Sequence, residues 1–130
     1  MTNKTMTEND ISYIIRGYIF KAYNALGPGL LESAYEAALK YEITKAGLNV
    51  QNQVPLPMIY DDISVEVGFR MDLLIENKVI VELKSVDALC DVHHKQLVTY
   101  LKLSKHKLGL LVNFNTDDIM KNIFRKVNDL

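Results

Sequence analysis

The sequence of 130 residues predicts an α/β domain with a mixed β-sheet covered by helices. Three observations lead to this prediction. Two amphipathic helix patterns open the chain, a hairpin of alternating apolar and polar residues lies near its middle, and a strand–helix–strand pattern follows the hairpin. The hairpin makes two strands antiparallel, whereas the strand–helix–strand connection implies parallel strands joined by a right-handed crossover. The predicted order of elements is therefore ααβββαβα.

The first half of the chain begins with two helices. Residues 8–26 carry apolar side chains at the spacing of one helical face, and Thr7 or Asn9 is suitable as the N-cap. The Gly-Pro-Gly segment 27–29 ends this helix, because glycine supplies a turn and proline disfavours helix in the residue before it. A second helix is predicted over residues 30–46. Its predicted buried stripe consists of Leu31, Ala34, Tyr35, Ala38, Leu39, Ile43 and Ala46.

An edge strand is predicted next, over Val50 to Tyr60. Its apolar residues alternate with polar ones, and Pro55 and Pro57 cannot donate hydrogen bonds to a neighbouring strand. Residues 63–67 are predicted to begin the strand that enters the central hairpin. An exposed edge of this kind leaves pairing with a second copy of the chain, or with a partner protein, open.

The central hairpin joins residues 68–75 to residues 79–86. A three-residue loop over 76–78, with Asn77 or Lys78 in the left-handed conformation, pairs Ile75 with Val79. Because alternate side chains of a strand share a face, one side of the first strand is predicted to be apolar and the other to carry the charged residues. Phe69, Met71, Leu73 and Ile75 are predicted on one side, and Arg70, Asp72 and Leu74 on the other.

This register places charged side chains opposite one another. Asp72 falls opposite Glu82 and Arg70 falls opposite Lys84. Directly opposed side chains have Cβ atoms ~4.5–5.5 Å apart, and like charges there are destabilising. Two carboxylates at that distance favour a bound cation, and Mg²⁺ prefers oxygen ligands.

Two alternatives to this metal site remain open. Charged residues on a hairpin face are often simply solvated, with ordinary ion pairs between the strands. A two-residue turn at Asn77-Lys78 shifts the pairing by one residue and separates Asp72 from Glu82.

The last third of the chain is predicted to contain a helix, a strand and a final helix. The first helix runs from about Asp87 or Asp91 to residue 103, and the nearly continuous apolar run 107–114 is typical of a buried strand. Thr116 is a suitable cap for a final helix. The apolar face of that final helix consists of Ile119, Met120, Ile123, Phe124 and Val127, with Asp117 and Asp118 in its first turn and Arg125 and Lys126 in its last.

Polar residues interrupt the buried stripe of the helix that ends near residue 103, which otherwise carries Leu89, Val92, Leu97 and Leu101. His93, Gln96 and Tyr100 lie at positions i, i+3 and i+7, which is one line along the helix. Polar groups on a buried line need partners, and the charged face of the hairpin supplies them. The alternative is that each is a satisfied structural residue.

Glu32 has two interpretations. It follows Gly29 by three residues, so its carboxylate is suited to capping free N–H groups in the first turn of its own helix. The functional alternative is that it reaches the sheet and joins the metal-binding residues.

Composition limits the class of protein. The chain has 15 basic and 16 acidic residues and a net charge of −1, which is a poor match for a broad basic surface and favours a small or partner-assisted nucleic-acid footprint. The single cysteine, Cys90, allows no internal disulfide, no apolar run approaches ~20 residues, and the polar residues 1–10 do not resemble a signal peptide. We expect a single cytoplasmic domain over residues 1–130 without a membrane segment.

Several motifs together resemble a known superfamily. Asp72, the Glu82-Leu83-Lys84 triplet, Gln96-x-x-x-Tyr100 and a glutamate in a preceding helix resemble the PD-(D/E)xK nucleases. The segment Gly29 to Tyr35 is similar to the name-giving motif of the GxxExxY family within that superfamily. Similar segments extend from Leu26 to Phe114: L-G-P-G-L-L-E-S-A-Y-E, Q-V-P-L-P, F-R-M-D-L-L, V-I-V-E-L-K, Q-L-V-T-Y-L and G-L-L-V-N-F.

The resemblance implies a fold and a metal site. The fold is a restriction-endonuclease-like core of order αβββαβ. Glu32, Asp72 and Glu82 are implied as acidic metal-site residues, with the Leu83 carbonyl as a further ligand of Mg²⁺ or Mn²⁺, and Lys84 as the catalytic lysine.

The resemblance also implies a substrate and leaves one alternative. Gln96 and Tyr100 belong to the supporting helix motif, and we expect them, with Arg70 and His93, to bind substrate. The implied reaction is hydrolysis of phosphodiester bonds in nucleic acid, with DNA favoured. The alternative is a catalytically inactive member of the fold that acts in binding or regulation.

Two positions depart from the family pattern. Met71 occupies the position of the proline that precedes the aspartate in the superfamily's name, and such departures are common among these proteins. His94 occupies a position where the closer family shows an acidic residue, so a role for an acid there does not carry over.

Overall fold

A five-stranded sheet forms the centre of the protein in the computed structural model, which describes residues 5–130. Residues 1–4, which begin the polar N-terminal stretch, lie outside the described residues. The elements in chain order are α1 (Glu8–Leu26), α2 (Glu32–Lys45), β1 (Val50–Pro55), β2 (Met58–Tyr60), β3 (Ile63–Val65), β4 (Arg70–Ile75), β5 (Val79–Lys84), α3 (Asp91–Ser104), β6 (Leu108–Asn113), a 3₁₀ turn (Ile119–Asn122) and β7 (Ile123–Val127).

The sheet is mixed, as the sequence predicted. Its strand order is β1-β4-β5-β6-β7, and only β5 and β6 are parallel, with α3 connecting them. The other neighbouring strands are antiparallel. The run α2-β1-β4-β5-α3-β6 has the predicted αβββαβ order, and the α/β prediction with helices flanking a mixed sheet is confirmed.

The two faces of the sheet are covered by different helices. The larger core contains Ile11, Ile15 and Ile19 of α1 together with residues of α2 and the sheet. On the other face, Leu97 and Leu101 of α3 belong to a second core cluster. Thr7 is the N-cap of α1, since its Oγ1 accepts from the Asp10 N–H at 3.1 Å and its own N–H donates to Asp10.

Tyr35 fixes the break between α1 and α2. Its hydroxyl donates to the Gly27 carbonyl at 2.6 Å and accepts from the Leu30 N–H at 3.1 Å. Its ring stacks on Phe114 with centroids 4.1 Å apart. The start of α2 is therefore held at a defined position above the sheet.

The predicted stripe of α2 is wrong at its ends. Leu31 is the N-cap, has an extended backbone and is 79% exposed, so it lies outside the helix. Ala46 is also exposed, because the helix ends at Lys45. The buried residues of α2 are those at its centre: Tyr35, Leu39 and Ile43.

The predicted edge strand is split into two parts. β1 is an edge strand, as predicted, but it ends at Pro55. β2 pairs only with β3, in a separate two-stranded sheet, and the turn between them has positive φ at Asp61 and Asp62. The prediction that residues 63–67 enter the central hairpin is therefore wrong, because residues 63–65 pair with β2 in a local hairpin instead.

The predicted final helix is also wrong. The Asn122 side chain donates to Thr116 Oγ1 and to the Asp118 carbonyl, each at 3.0 Å, and only a 3₁₀ turn forms there. β7 then pairs antiparallel with β6, so Arg125 and Lys126 lie on an edge strand. A fully buried strand such as β6 needs a partner along each edge, and this requirement decides between helix and strand.

The remaining elements agree with the prediction except in detail. The central hairpin has the predicted register, with Ile75 opposite Val79. Positive φ occurs at Asn77 and at Glu76, not at Lys78. α3 begins at Asp91, and Val92 is 65% exposed, so it is not part of the buried stripe. No helix within residues 5–130 is both long and apolar enough to cross a bilayer.

Candidate metal centre

Asp72 and Glu82 face each other where the central hairpin opens. The described pairs of β4 with β5 run from Ile75–Val79 to Leu73–Val81, and the same register places Asp72 opposite Glu82. At Asp72 the side chain, not the backbone, accepts the hydrogen bond from β5. Asp72 Oδ2 accepts from the Leu83 N–H at 2.8 Å. The predicted proximity of the two acids is therefore present, without regular strand pairing at that point.

The opening changes the direction of side chains in β4. Met71 packs in the α3-side cluster with Leu74, and Phe69 packs against that cluster, whereas Leu73 belongs to the core under α1 and α2. The predicted shared face of Phe69, Met71 and Leu73 is wrong. Met71 and Leu73 should lie on the same face by the alternation of a regular strand, but they do not, because the regular pairing of β4 with β5 stops at Asp72.

Asp72 lines a cleft of about 370 Å³ beside α2. The cleft is formed by α2, β1, β4 and β5. Its lining residues are Glu32, Ser33, Glu36, Gln53, Asp72 and Leu83. The cleft is strongly acidic, because three of these six side chains are carboxylates and none is basic.

Glu82 is a buried carboxyl group with an unused oxygen. It is 3% exposed, and its Oε1 atom has no hydrogen-bond partner among the described residues. Burial raises the pKa of Glu82 from 4.5 to about 10, and the neighbouring Asp72 adds to the rise through its charge and a hydrogen bond. The positive charge of Lys84 lowers this pKa only in part. Glu82 therefore needs a proton or a cation.

Leu83 contributes its backbone to the same place. The Lys84 carbonyl accepts from the Phe114 N–H at 2.9 Å, so the backbone groups of Lys84 face β6. Alternate residues of a strand direct their backbone groups to opposite neighbours, so those of Leu83 face β4. This agrees with the bond from the Leu83 N–H to Asp72 and directs the Leu83 carbonyl toward the opened side of the hairpin.

Glu32 reaches the sheet and does not cap its own helix. Its Oε2 accepts from the Ser85 N–H at 3.2 Å, and α2 has no side-chain cap. Ser85 Oγ in turn donates to the Leu30 carbonyl at 2.6 Å. Of the two interpretations of Glu32, the structure favours the one that places it at the end of β5, where it lines the same cleft as Asp72.

The oxygen-rich donor set fits a hard divalent cation. No three His, Cys, Asp or Glu side chains of residues 5–130 form a group that would hold a metal by themselves. Asp72, Glu82 and the Leu83 carbonyl nevertheless supply oxygen atoms, one of them buried and unpartnered. Mg²⁺ usually keeps several waters and uses one or two carboxylates, so a small set of this kind suits it.

The two basic residues of the hairpin have different surroundings. Lys84 is half-buried at the end of β5, and its charge acts on Glu82. Arg70 pairs with Pro55 of β1, and its side chain is exposed. None of the described strand pairs joins Arg70 to Lys84, so the predicted opposition of these two residues is not part of the observed ladder.

Of the three polar residues on α3, Tyr100 lies near Asp72 and Glu82, and Gln96 is bound to Tyr100. Gln96 Nε2 donates to Tyr100 Oη at 3.2 Å, and Tyr100 is 4% exposed against the Phe69 ring. Burial and the charge of Glu82 raise the pKa of Tyr100. His93 has another partner, because its Nδ1 accepts from the Cys90 N–H at 3.0 Å and caps α3.

Sequence reasoning missed Gln53 and Glu36. Gln53 Nε2 donates to Glu36 Oε1 at 2.6 Å and to Asp72 Oδ1 at 3.4 Å. Glu36 lies one turn after Glu32 on α2, and this spacing was the available signal. Gln53 shows no such signal, because its position opposite Asp72 follows only from the register of β1 with β4.

Comparison with known protein families identifies a match. A family model described as the PD-(D/E)XK nuclease superfamily matches residues 9–127. No curated protein and no solved structure matches the chain significantly.

Proposed function

The chain belongs to the PD-(D/E)XK nuclease superfamily, and from this premise we propose that it is a divalent-metal-dependent nuclease that hydrolyses phosphodiester bonds, preferably in DNA. We place it in the GxxExxY family within the superfamily, on the motif from Gly29 to Tyr35. The observation that carries the proposal is the buried, unpartnered oxygen of Glu82 beside a second carboxylate, Asp72.

The physical argument starts from the cost of burying charge. An ionised carboxylate without a partner is strongly disfavoured in a protein interior, so a retained buried carboxylate implies a partner. Asp72 cannot be that partner for an ionised Glu82, since both are negative, and Lys84 offsets the burial only in part. A divalent cation held by the two acids would offset both the repulsion and the burial cost.

Each part of the site then has a role. Asp72, Glu82 and the Leu83 carbonyl would hold Mg²⁺ or Mn²⁺, with Glu32 at the edge of the cleft. When bound, the cation lowers the pKa of a water and neutralises charge on a phosphate oxygen.

Residues of the chain position the substrate. The Lys84 ammonium donates to the attacking water or to a phosphate oxygen and stabilises the charge that develops there. Gln96 and Tyr100 support Asp72 and Glu82 from the side of the sheet that α3 covers. Arg70, exposed at the start of β4, binds a phosphate next to the cleavage site.

The distribution of charge supports a nucleic-acid substrate despite the net charge. Residues 92–128 contain seven Lys or Arg and two Asp or Glu. On the outer surface of α3, Lys95 and Lys102 are exposed and line a shallow hollow of about 350 Å³ with Thr99. Neither lysine takes part in the ion pairs found within residues 5–130. Unpaired lysines at this spacing suit the phosphates of a nucleic-acid backbone.

One observation favours a second candidate function. Because no three His, Cys, Asp or Glu side chains within residues 5–130 form a group that could hold a metal ion, the site is sparse for an enzyme. A catalytically inactive module that binds nucleic acid or a regulatory partner with the same fold is the alternative.

The test is a cleavage assay with matched variants. Purified protein is incubated with single- and double-stranded DNA and RNA in Mg²⁺, Mn²⁺ or EDTA. We expect metal-dependent cleavage that is lost in Asp72→Asn and Lys84→Ala but retained in Lys45→Ala, an exposed lysine of α2 away from the cleft.

The other outcomes separate the two candidates. Binding of Mn²⁺ in calorimetry without cleavage of any substrate would support the inactive module. Cleavage that survives EDTA, or that Asp72→Asn leaves intact, would contradict the proposed site.

A further inference from the structure

β1 departs from strand geometry at one residue of the acidic cleft. Gln53 has a φ of +51°, while Asn52 and Val54 on either side of it pair with Leu73 and Met71. The same register places Gln53 opposite Asp72, and no pair is formed there. A left-handed backbone is strained for a residue with a Cβ atom, and glycine would adopt it without strain.

The strained backbone brings a neutral donor between two carboxylates. Gln53 Nε2 donates to Glu36 at 2.6 Å and to Asp72 Oδ1 at 3.4 Å. The other oxygen of Asp72, Oδ2, accepts from the Leu83 N–H at 2.8 Å. Each oxygen of Asp72 therefore has a hydrogen-bond donor, the Leu83 bond being short and the Gln53 bond long, and together they restrain the carboxylate.

The residue type matters as much as the contact. A lysine at this position would also donate to Asp72 but would add a positive charge to the cleft and compete with a cation. An amide donates hydrogen bonds and leaves the negative charge of Asp72 and Glu36 in place. Residues that orient a metal ligand in this way typically change metal affinity when they are removed.

We propose that Gln53 is a positioning residue that holds the Asp72 carboxylate for the metal, and that its left-handed backbone is kept at the expense of stability. The inference rests on the proposed metal-dependent function. If Gln53 were only an exposed residue on an irregular edge strand, glycine would serve better there and no metal property would depend on it.

Two variants separate the side chain from the backbone. Gln53→Ala and Gln53→Gly both lose the amide, but only glycine relieves the strain. We expect both to bind Mn²⁺ roughly tenfold more weakly than the wild type in calorimetry. Without metal, we expect Gln53→Gly to melt a few degrees higher than Gln53→Ala. Gln51→Ala, at an exposed position of β1 with ordinary φ, is the control and should leave Mn²⁺ affinity unchanged.

The outcomes distinguish this inference from the function on which it rests. Wild-type Mn²⁺ affinity in both Gln53 variants, beside weakened binding in Asp72→Asn, would overturn the inference alone. Failure of the wild-type protein to bind Mn²⁺ would overturn the metal-dependent function and the inference with it. A melting temperature of Gln53→Gly at or below that of Gln53→Ala would overturn the claim of backbone strain.

Discussion

Replacing Glu82 by glutamine isolates the effect of one buried carboxyl group. The pKa of Glu82 is about 10 in the folded protein without metal, against 4.5 for a free glutamate side chain. Between these values the folded chain holds a proton that the unfolded chain has released. The stability contributed by this proton is complete below pH 4.5 and is lost as the pH rises toward 10.

The size of the effect follows from the linkage between protons and folding. Each pH unit in this interval lowers the free energy of unfolding by about 1.4 kcal/mol. With an unfolding entropy of about 2.1 cal/mol/K per residue, a chain of this length loses about 5 °C of melting temperature per pH unit. Glutamine keeps the shape of the protonated acid and donates to Asp72, but it does not titrate.

The assay is thermal unfolding of the wild type and Glu82→Gln in EDTA, between about pH 6 and pH 8. We expect the wild type to lose stability relative to the variant as the pH rises. The pKa values of His94 and His106 are both lowered by burial, but they contribute equally to the two proteins and cancel in the difference. Glu66→Gln, on the exposed part of the chain, is the control.

Metal provides the second half of the test. A ligand that binds only the folded state raises its stability, so Mg²⁺ should raise the melting temperature of the wild type more than that of Glu82→Gln. Equal pH slopes in the wild type and Glu82→Gln would refute the reasoning, because they would show that Glu82 does not carry the extra proton.

Three further changes have expected outcomes. Lys84→Ala should reduce the cleavage rate by about 10²–10³-fold with little change in nucleic-acid binding, whereas Lys45→Ala should change neither; equal rates would exclude a catalytic lysine. Tyr100→Phe removes the hydroxyl that accepts a hydrogen bond within α3 and should lower stability by about 1 kcal/mol in urea unfolding. Gly109→Ala would place a Cβ atom 2.8 Å from Leu97 Cδ1 and should cost about 1–3 kcal/mol; a double variant with Leu97→Ala should recover part of that loss if the clash is the cause.

The central hairpin was predictable because several local signals agree. The loop over 76–78 and the apolar residues that flank it determine a single register, and this register brings Asp72 opposite Glu82. The direction of Met71 was not predictable. It depends on a bond between the Asp72 side chain and the Leu83 backbone, which a strict alternation of faces does not contain.

The C-terminal error has a different cause. The apolar residues from Ile119 to Val127 fit a helix by their spacing, and Ile123 and Val127 also fit a strand by their branching. The choice between helix and strand depends on the edge of β6 that would otherwise be unpaired. Most of the paired residues of β6 and β7 are far apart in the sequence. The positive φ of Gln53 was beyond reach for the same reason, since nothing in the local sequence requires it.

α1 supplies none of the residues that line the acidic cleft, yet it cannot be removed. Its start is tied to distant parts of the chain: Lys78 Nζ donates to the carbonyl of Met6, just before the helix, at 2.6 Å, and Arg125 Nη2 donates to Asn9 Oδ1, in its first turn, at 2.8 Å. Its isoleucines pack with residues of α2 in the larger core on one side of the sheet. A truncated protein that begins at α2 would keep every candidate metal ligand but would expose the apolar residues that α1 covers. We therefore expect it to aggregate and not to form a smaller active domain.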